Sequence, residues 1–168
     1  MPSIQEDLQG FKNQLESGSL QRAYQGLIAY MNALRAHFAK TYGDSAVSAL
    51  YQGFMDMTYF AVFTPALKAR DLKIAIVFNY EPFRFEVWLA ARNRKIQKQM
   101  WELFKDIHLE GYRIVKPAEG IDSIIECDLA DEFDLSRPDE LTDRISQITS
   151  AFIEKMEKLL ADHPAAAG

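Results

Sequence analysis

Apolar residues recur every three or four positions through the first forty or so residues, every second position from about 50 to 90, and every three or four again toward the C-terminus. Ser3 and Glu6 form an S-x-x-E capping box beside Ile4, Leu8, Phe11 and Leu15, which predicts a helix over about 4–17. Gly18 suits its end and Ser19 can cap the next segment. There Leu20, Leu27, Ile28, Met31, Leu34 and Phe38 predict a second helix over about 20–42, antiparallel to the first.

From Gly43 the rhythm changes. "LYQGFMDMTYFAVF" (50–63) puts Asp56 and Thr58 on one face and Met57, Tyr59, Ala61 and Phe63 on the other, and predicts a strand that Thr64 and Pro65 end. "PALKARD" makes a short helical turn. "LKIAIVF" and "FRFEVWL" flank the loop "NYEP" and read as a hairpin in which Leu72 faces Leu89, Ile74 faces Val87, Ile76 faces Phe85, and Phe78 faces Phe83. That register makes one face wholly apolar. It leaves Lys73, Ala75, Val77, Arg84, Glu86 and Trp88 on the other, with Glu86 across from Ala75 and Lys73 across from Trp88.

Asn93 suits the cap of a third long helix with Ile96, Met100, Leu103, Phe104 and Ile107 as its apolar stripe. "YRIV" and "DSIIECDL" follow as strands. A last helix starts at Pro138, with Asp139 and Glu140 in its first turn and Leu141, Ile145, Ile148, Phe152, Met156 and Leu159 on its buried side. Pro164 ends it, and 164–168 is expected to fray. The expected architecture is a single α+β domain over 1–163: an antiparallel sheet of four or five strands, an N-terminal helical hairpin, a helix after the three-strand meander, and a long C-terminal helix.

Composition narrows the function classes. With 168 residues, 48% of them hydrophobic and 26% charged, the chain can bury a core without disulfides or metal staples. Its net charge of -5 argues against a general nucleic-acid binder, which would carry a broad positive face. No window approaches the roughly 18 to 20 apolar residues of a membrane span, and no basic n-region precedes an apolar stretch. The single cysteine, Cys127, has no internal partner for a disulfide, so the expected location is the cytoplasm.

The charges are unevenly placed. Arg92, Arg94, Lys95 and Lys98 fall within seven residues where strand becomes helix, while 119–136 holds seven acids and no Lys or Arg. A helix N-terminus is the positive end of the macrodipole and disfavours cations, unless something anionic binds there. The bland account is a solvated basic turn, or a pairing with the acidic stretch, within the chain or across a homodimer. Glu86 and Asp56 are the carboxylates best placed for chemistry on the polar sheet face, and the bland account pairs them with Arg84 or Lys73. Asp122, Glu126 and Asp128 share parity and read as a solvated acidic edge. His37, His108 and His163 are dispersed without metal-ligand spacing, the acids beside Cys127 disfavour a thiolate, and no cofactor-binding fingerprint occurs.

Together "QGFMDMTYFAVF", "LKIAIVF", "RFEVWLAARNRKIQ" and "DSIIE" resemble a bacterial domain-of-unknown-function family, number seven thousand in its series, over nearly the whole chain. That resemblance implies no activity. The order of elements is also similar to a restriction-endonuclease-like core, whose catalytic pattern puts Asp on the second strand and Glu-x-Lys on the third. Here the second strand has no Asp, and Trp88 stands where the pattern wants Lys. The functional expectation is a non-enzymatic binding module with an anion-accepting pocket on one sheet face, built from Asp56, Lys73, Arg84, Glu86, Trp88, Arg92, Asn93 and Arg94, with a small anionic ligand and no cofactor. The alternatives are a degenerate restriction-endonuclease-like domain, or an enzyme using Glu86 and Asp56.

Overall fold

Alternation along the central strands sends large apolar side chains to one side of a sheet and a mixed set to the other. The computed structural model describes residues 1–165, so 166–168 of the expected frayed tail lie outside the described residues. In chain order the elements are α1 (Ile4–Leu15), α2 (Ser19–Thr41), β1 (Ala46–Val47), β2 (Met57–Phe63), α3 (Pro65–Lys68), β3 (Leu72–Asn79), β4 (Arg84–Ala91), α4 (Arg94–Phe104), β5 (Arg113–Ile114), β6 (Ser123–Ala130) and α5 (Pro138–Asp162). The strands form one antiparallel sheet of six in the order β1-β2-β3-β4-β6-β5. Four or five were expected; the added strand is the two-residue edge β1, too short to leave a periodic signal.

The α+β architecture follows from the predicted patterns. Leu27, Met31, Leu34 and Phe38 of α2, Met100 and Phe104 of α4, and Leu141, Ile145, Phe152 and Met156 of α5 pack with Phe60, Ile74, Ile76, Phe78, Phe85, Val87 and Leu89 in one core. The Ser3 capping box of α1 forms, with the Ser3 N–H donating to the Glu6 carboxylate at 2.6 Å. Yet no α1 residue is buried, and Ile4, Leu8 and Phe11 stay exposed: the box stabilises a helix end without docking the helix. Gly18, at φ +71°, is the cap residue of α2, with Ser19 its first helical residue in place of the expected cap.

Two expectations are corrected. The β3–β4 hairpin pairs Leu72 with Ala91, Ile74 with Leu89, Ile76 with Val87, Phe78 with Phe85, and Asn79 with Arg84. The loop is therefore residues 80–83, one residue later than expected, and the register moves by two. Pro82 has no N–H to give a ladder, and Phe83 sits at φ +54°, so neither belongs to β4. A two-residue shift keeps every side chain on its expected face but changes its neighbours: Trp88 stands opposite Ala75, Glu86 opposite Val77, and Lys73 opposite Ala90.

The second correction concerns β2. It begins only at Met57, and Thr58, Phe60 and Val62 face the helical core while Met57 and Tyr59 pack with Ala75, Val77 and Trp88 on the other side. Thr58 is tolerated in the core because its hydroxyl donates to the Gln52 carbonyl at 2.7 Å and meets the Tyr80 hydroxyl at 2.8 Å. Among the described residues no helix residue joins the Met57, Tyr59, Ala75, Val77 and Trp88 cluster on this second face of the sheet.

Candidate functional site

Glu86 is the deepest charge on the second face, with its side chain 2% exposed. Its Oε1 accepts from Arg84 Nε at 2.7 Å and its Oε2 from the Trp88 indole N–H at 2.6 Å. The three residues lie at alternate positions of β4, so one strand supplies a carboxylate and two donors side by side. The chain of charges continues across the sheet. Arg84 Nη2 lies 3.3 Å from Asp128 Oδ1, and Arg113 Nη2 reaches Asp128 at 2.8 Å and Glu126 at 3.1 Å. The Ser123 hydroxyl donates to the other Glu126 oxygen at 2.5 Å. Hydrogen bonding to Asp128, with Glu126 beside it, raises the affinity of Arg113 for its proton. Of the three acids expected to form a solvated edge, Glu126 and Asp128 join β4, β5 and β6 in one ionic network, while Asp122 stays exposed.

The cations at the start of α4 divide into different roles. Asn93 caps the helix, its Oδ1 accepting from the Ile96 N–H at 3.0 Å. Arg94 turns onto the segment joining β5 to β6: its guanidinium donates to Gln97 Oε1 at 2.9 Å, to the Ala118 carbonyl at 3.3 Å and to the Ile121 carbonyl, and lies 3.5 Å from Asp122. Gln97, buried on the same helix, also donates to the Ile121 and Ser123 carbonyls at 2.9 and 3.2 Å. Arg94 thus pairs with the acidic stretch inside one chain, holding residues 118–122 at the rim of the open face. Arg92 is mostly exposed and lies 3.5 Å from Asp71.

Between this rim and the sheet lies a cavity of about 210 Å³, lined by Met57, Tyr59, Lys73, Ala75, Trp88 and Ala90, and by Arg92 and Asp122. Lys73 Nζ sits 5.4 Å from the centroid of the Tyr59 ring, and among the described residues it has no salt bridge. Burial, then the charge of Asp122, raises the Tyr59 phenol above its usual value, so the hydroxyl keeps its proton at neutral pH. A second hollow of about 540 Å³ shares Met57, Trp88 and Asp122 with the first and runs on toward Asp56, Tyr80 and Glu126. Small alanines form part of the floor, two aromatic rings the walls, and two cations and one carboxylate the rim.

A family model described as "Domain of unknown function (DUF7000)" matches residues 4–160. The chain belongs to the DUF7000 family. No curated protein and no solved structure matches it. The DUF7000 match covers α1 through nearly all of α5, so the open face, the ionic network and the 118–122 rim all lie within the matched residues.

Of the residues singled out in this DUF7000 chain, Lys73, Trp88 and Arg92 meet in one cavity. Arg84 and Glu86 lie on the same face but satisfy each other, Trp88 and Asp128. Asn93 and Arg94 shape the rim. Asp56 lies before β2, lines the adjoining hollow, and accepts from the Phe54 N–H at 2.8 Å, which with Met57 N–H holds its carboxyl below the usual carboxylate range. The turn it caps needs glycine at 53: φ is +71°, and a Cβ there would collide with the Met57 carbonyl. Tyr59 and Asp122 were missed. Tyr59 read as one of several aromatics in an apolar strand, and Asp122 as one acid of a run; the pairing of Ser123 with Ala90 and the long-range contacts of Arg94 and Gln97 bring Asp122 beside the cavity.

Proposed function

We propose that the protein is a non-enzymatic binding module that takes a small anionic ligand in the cavity on the helix-free face of its sheet, between Lys73, Arg92 and Trp88. The observation that carries this reading is Lys73, a half-buried residue that lines a cavity and pairs with no carboxylate among the described residues. An incoming carboxylate, sulfate or phosphate group would give its ammonium a charge-assisted partner beside the Tyr59 ring. Trp88 supplies a flat apolar wall whose N–H is fixed by Glu86, so the ring is ordered before any ligand arrives. The competing readings have less support. Glu86 has both oxygens engaged by Arg84 and Trp88, Asp56 is held by its own turn, and neither lines the cavity between Lys73 and Trp88.

The test is thermal unfolding in sulfate, phosphate and chloride at matched ionic strength. Sulfate and phosphate should raise the midpoint of the wild type above that in chloride, by about 2 to 4 °C for each kcal/mol of binding free energy gained. Lys73→Ala with Arg92→Ala should remove the difference while leaving the fold intact. An equal response of both proteins to all three salts would overturn the reading.

A further inference from the structure

The charges around the 210 Å³ cavity are not those of a simple anion site, because Asp122 borders it together with Lys73 and Arg92. Asp122 is exposed, and its Oδ1 lies 3.5 Å from Arg94 Nη2, a long and solvated pairing that leaves the second carboxylate oxygen free of any hydrogen bond among the described residues. A monoanion placed against Lys73 and Arg92 would meet this carboxylate as a like charge, and a dianion would meet it more strongly. At about 210 Å³ the cavity has room for an amino-acid-sized molecule.

Resting on the anion-site reading above, we infer that the ligand is a zwitterion of amino-acid size, with its carboxylate toward Lys73 and Arg92 and its ammonium toward Asp122. The walls suit both parts. The Tyr59 and Trp88 rings attract a cation to their faces and offer apolar area to a side chain, and Ala75 and Ala90 leave space beneath it. The protonated Tyr59 hydroxyl adds a neutral donor. Arg94 is then a positioning residue. It touches the loop carbonyls of Ala118 and Ile121 and fixes where Asp122 stands, without lining the cavity itself.

Two skeletons, leucine and phenylalanine, are each compared with the deaminated acid and the decarboxylated amine of the same skeleton, by calorimetric titration of the full chain. For at least one skeleton the amino acid should bind about tenfold or more tightly than either half-molecule. Asp122→Asn should bring the amino acid and the acid to within about threefold, with an unchanged unfolding midpoint. Arg94→Ala should narrow the same ratio partway and leave the acid's own affinity alone. If the deaminated acids bind the wild type as tightly as the amino acids, or if Asp122→Asn leaves the ratio unchanged, the zwitterion inference is overturned. In those outcomes the anion site survives so long as Lys73→Ala with Arg92→Ala still abolishes binding of the acid. Binding of no amino acid, with the sulfate effect intact, overturns the inference in the same way, whereas loss of the sulfate effect removes the parent reading instead.

Discussion

Phe85→Ala is expected to destabilise the protein by about 3 to 5 kcal/mol, the range of a buried aromatic-to-alanine change. Phe85 is fully buried, and its ring meets those of Tyr30 from α2 at 5.6 Å, Phe78 from β3 at 5.0 Å and Phe133 at 5.0 Å. These neighbours come from three separate parts of the chain, so the site cannot collapse by moving one of them, and the cavity term adds to the lost transfer free energy. Phe83 is the control. Expected from the sequence to pair with Phe78 across the hairpin, it sits at the turn, 61% exposed, and keeps an edge-on contact with the Phe78 ring at 5.2 Å. Phe83→Ala should therefore cost less than about 1 kcal/mol in the same urea titration, as for a mostly exposed side chain. Equal losses in the two variants would mean that the register is the one first expected.

Glu86→Ala is expected to cost about 2 to 4 kcal/mol, because it leaves the Trp88 N–H without its acceptor and the Arg84 guanidinium with Asp128 alone, on a largely buried face. The value is set below that of a fully buried ion pair because the Arg84 side chain is 28% exposed and partly solvated. Glu86→Gln keeps one acceptor oxygen and should lose less. Glu86→Ala combined with Arg84→Leu should lose less than Glu86→Ala alone, since the second change removes the charge that the first deprives of its nearest acceptor. Urea unfolding of the four proteins checks this. A single Glu86→Ala variant as stable as the wild type would show that the carboxylate is free in solution and would reopen the enzymatic reading of Glu86.

The elements were legible in the sequence because each carries its own periodicity: α2 and α5 hold their predicted stripes, α4 keeps Met100 and Phe104 of its stripe but exposes Leu103 and buries Gln97, and the alternation of β3 and β4 places each residue on its correct face. The hairpin register was not, because faces repeat every two residues and a two-residue shift leaves the apolar pattern unchanged. What decides between the registers is the left-handed backbone of Phe83, which no apolar pattern records. On β2 the polar Thr58 and Asp56 suggested a solvent face, but Phe60 and Val62 on the same side outweigh one threonine whose hydroxyl finds two partners. The basic cluster was legible as a place and illegible in its parts. Asn93, Arg94 and Arg92 are neighbours in sequence that act as a cap, a loop tether and a cavity rim, and that division depends on residues 118–122 arriving from elsewhere in the chain.

On the proposed reading the helix-free face of the sheet, rather than another charged hollow, receives the anion. A rival exists: a cavity of about 430 Å³ carries Arg137 and Arg144 beside Phe133 and Leu141, though Arg137 there is paired with Asp134 and Glu140. Titrating ¹⁵N-labelled protein with sulfate, and following backbone amides together with the two indole N–H signals, separates the two. The account predicts saturable shifts at Tyr59, Lys73, Ala90, Arg92 and Asp122 and at the Trp88 indole, with the Trp101 indole and residues 132–144 unmoved. Shifts centred on residues 132–144, with the Trp88 indole unchanged, would contradict it.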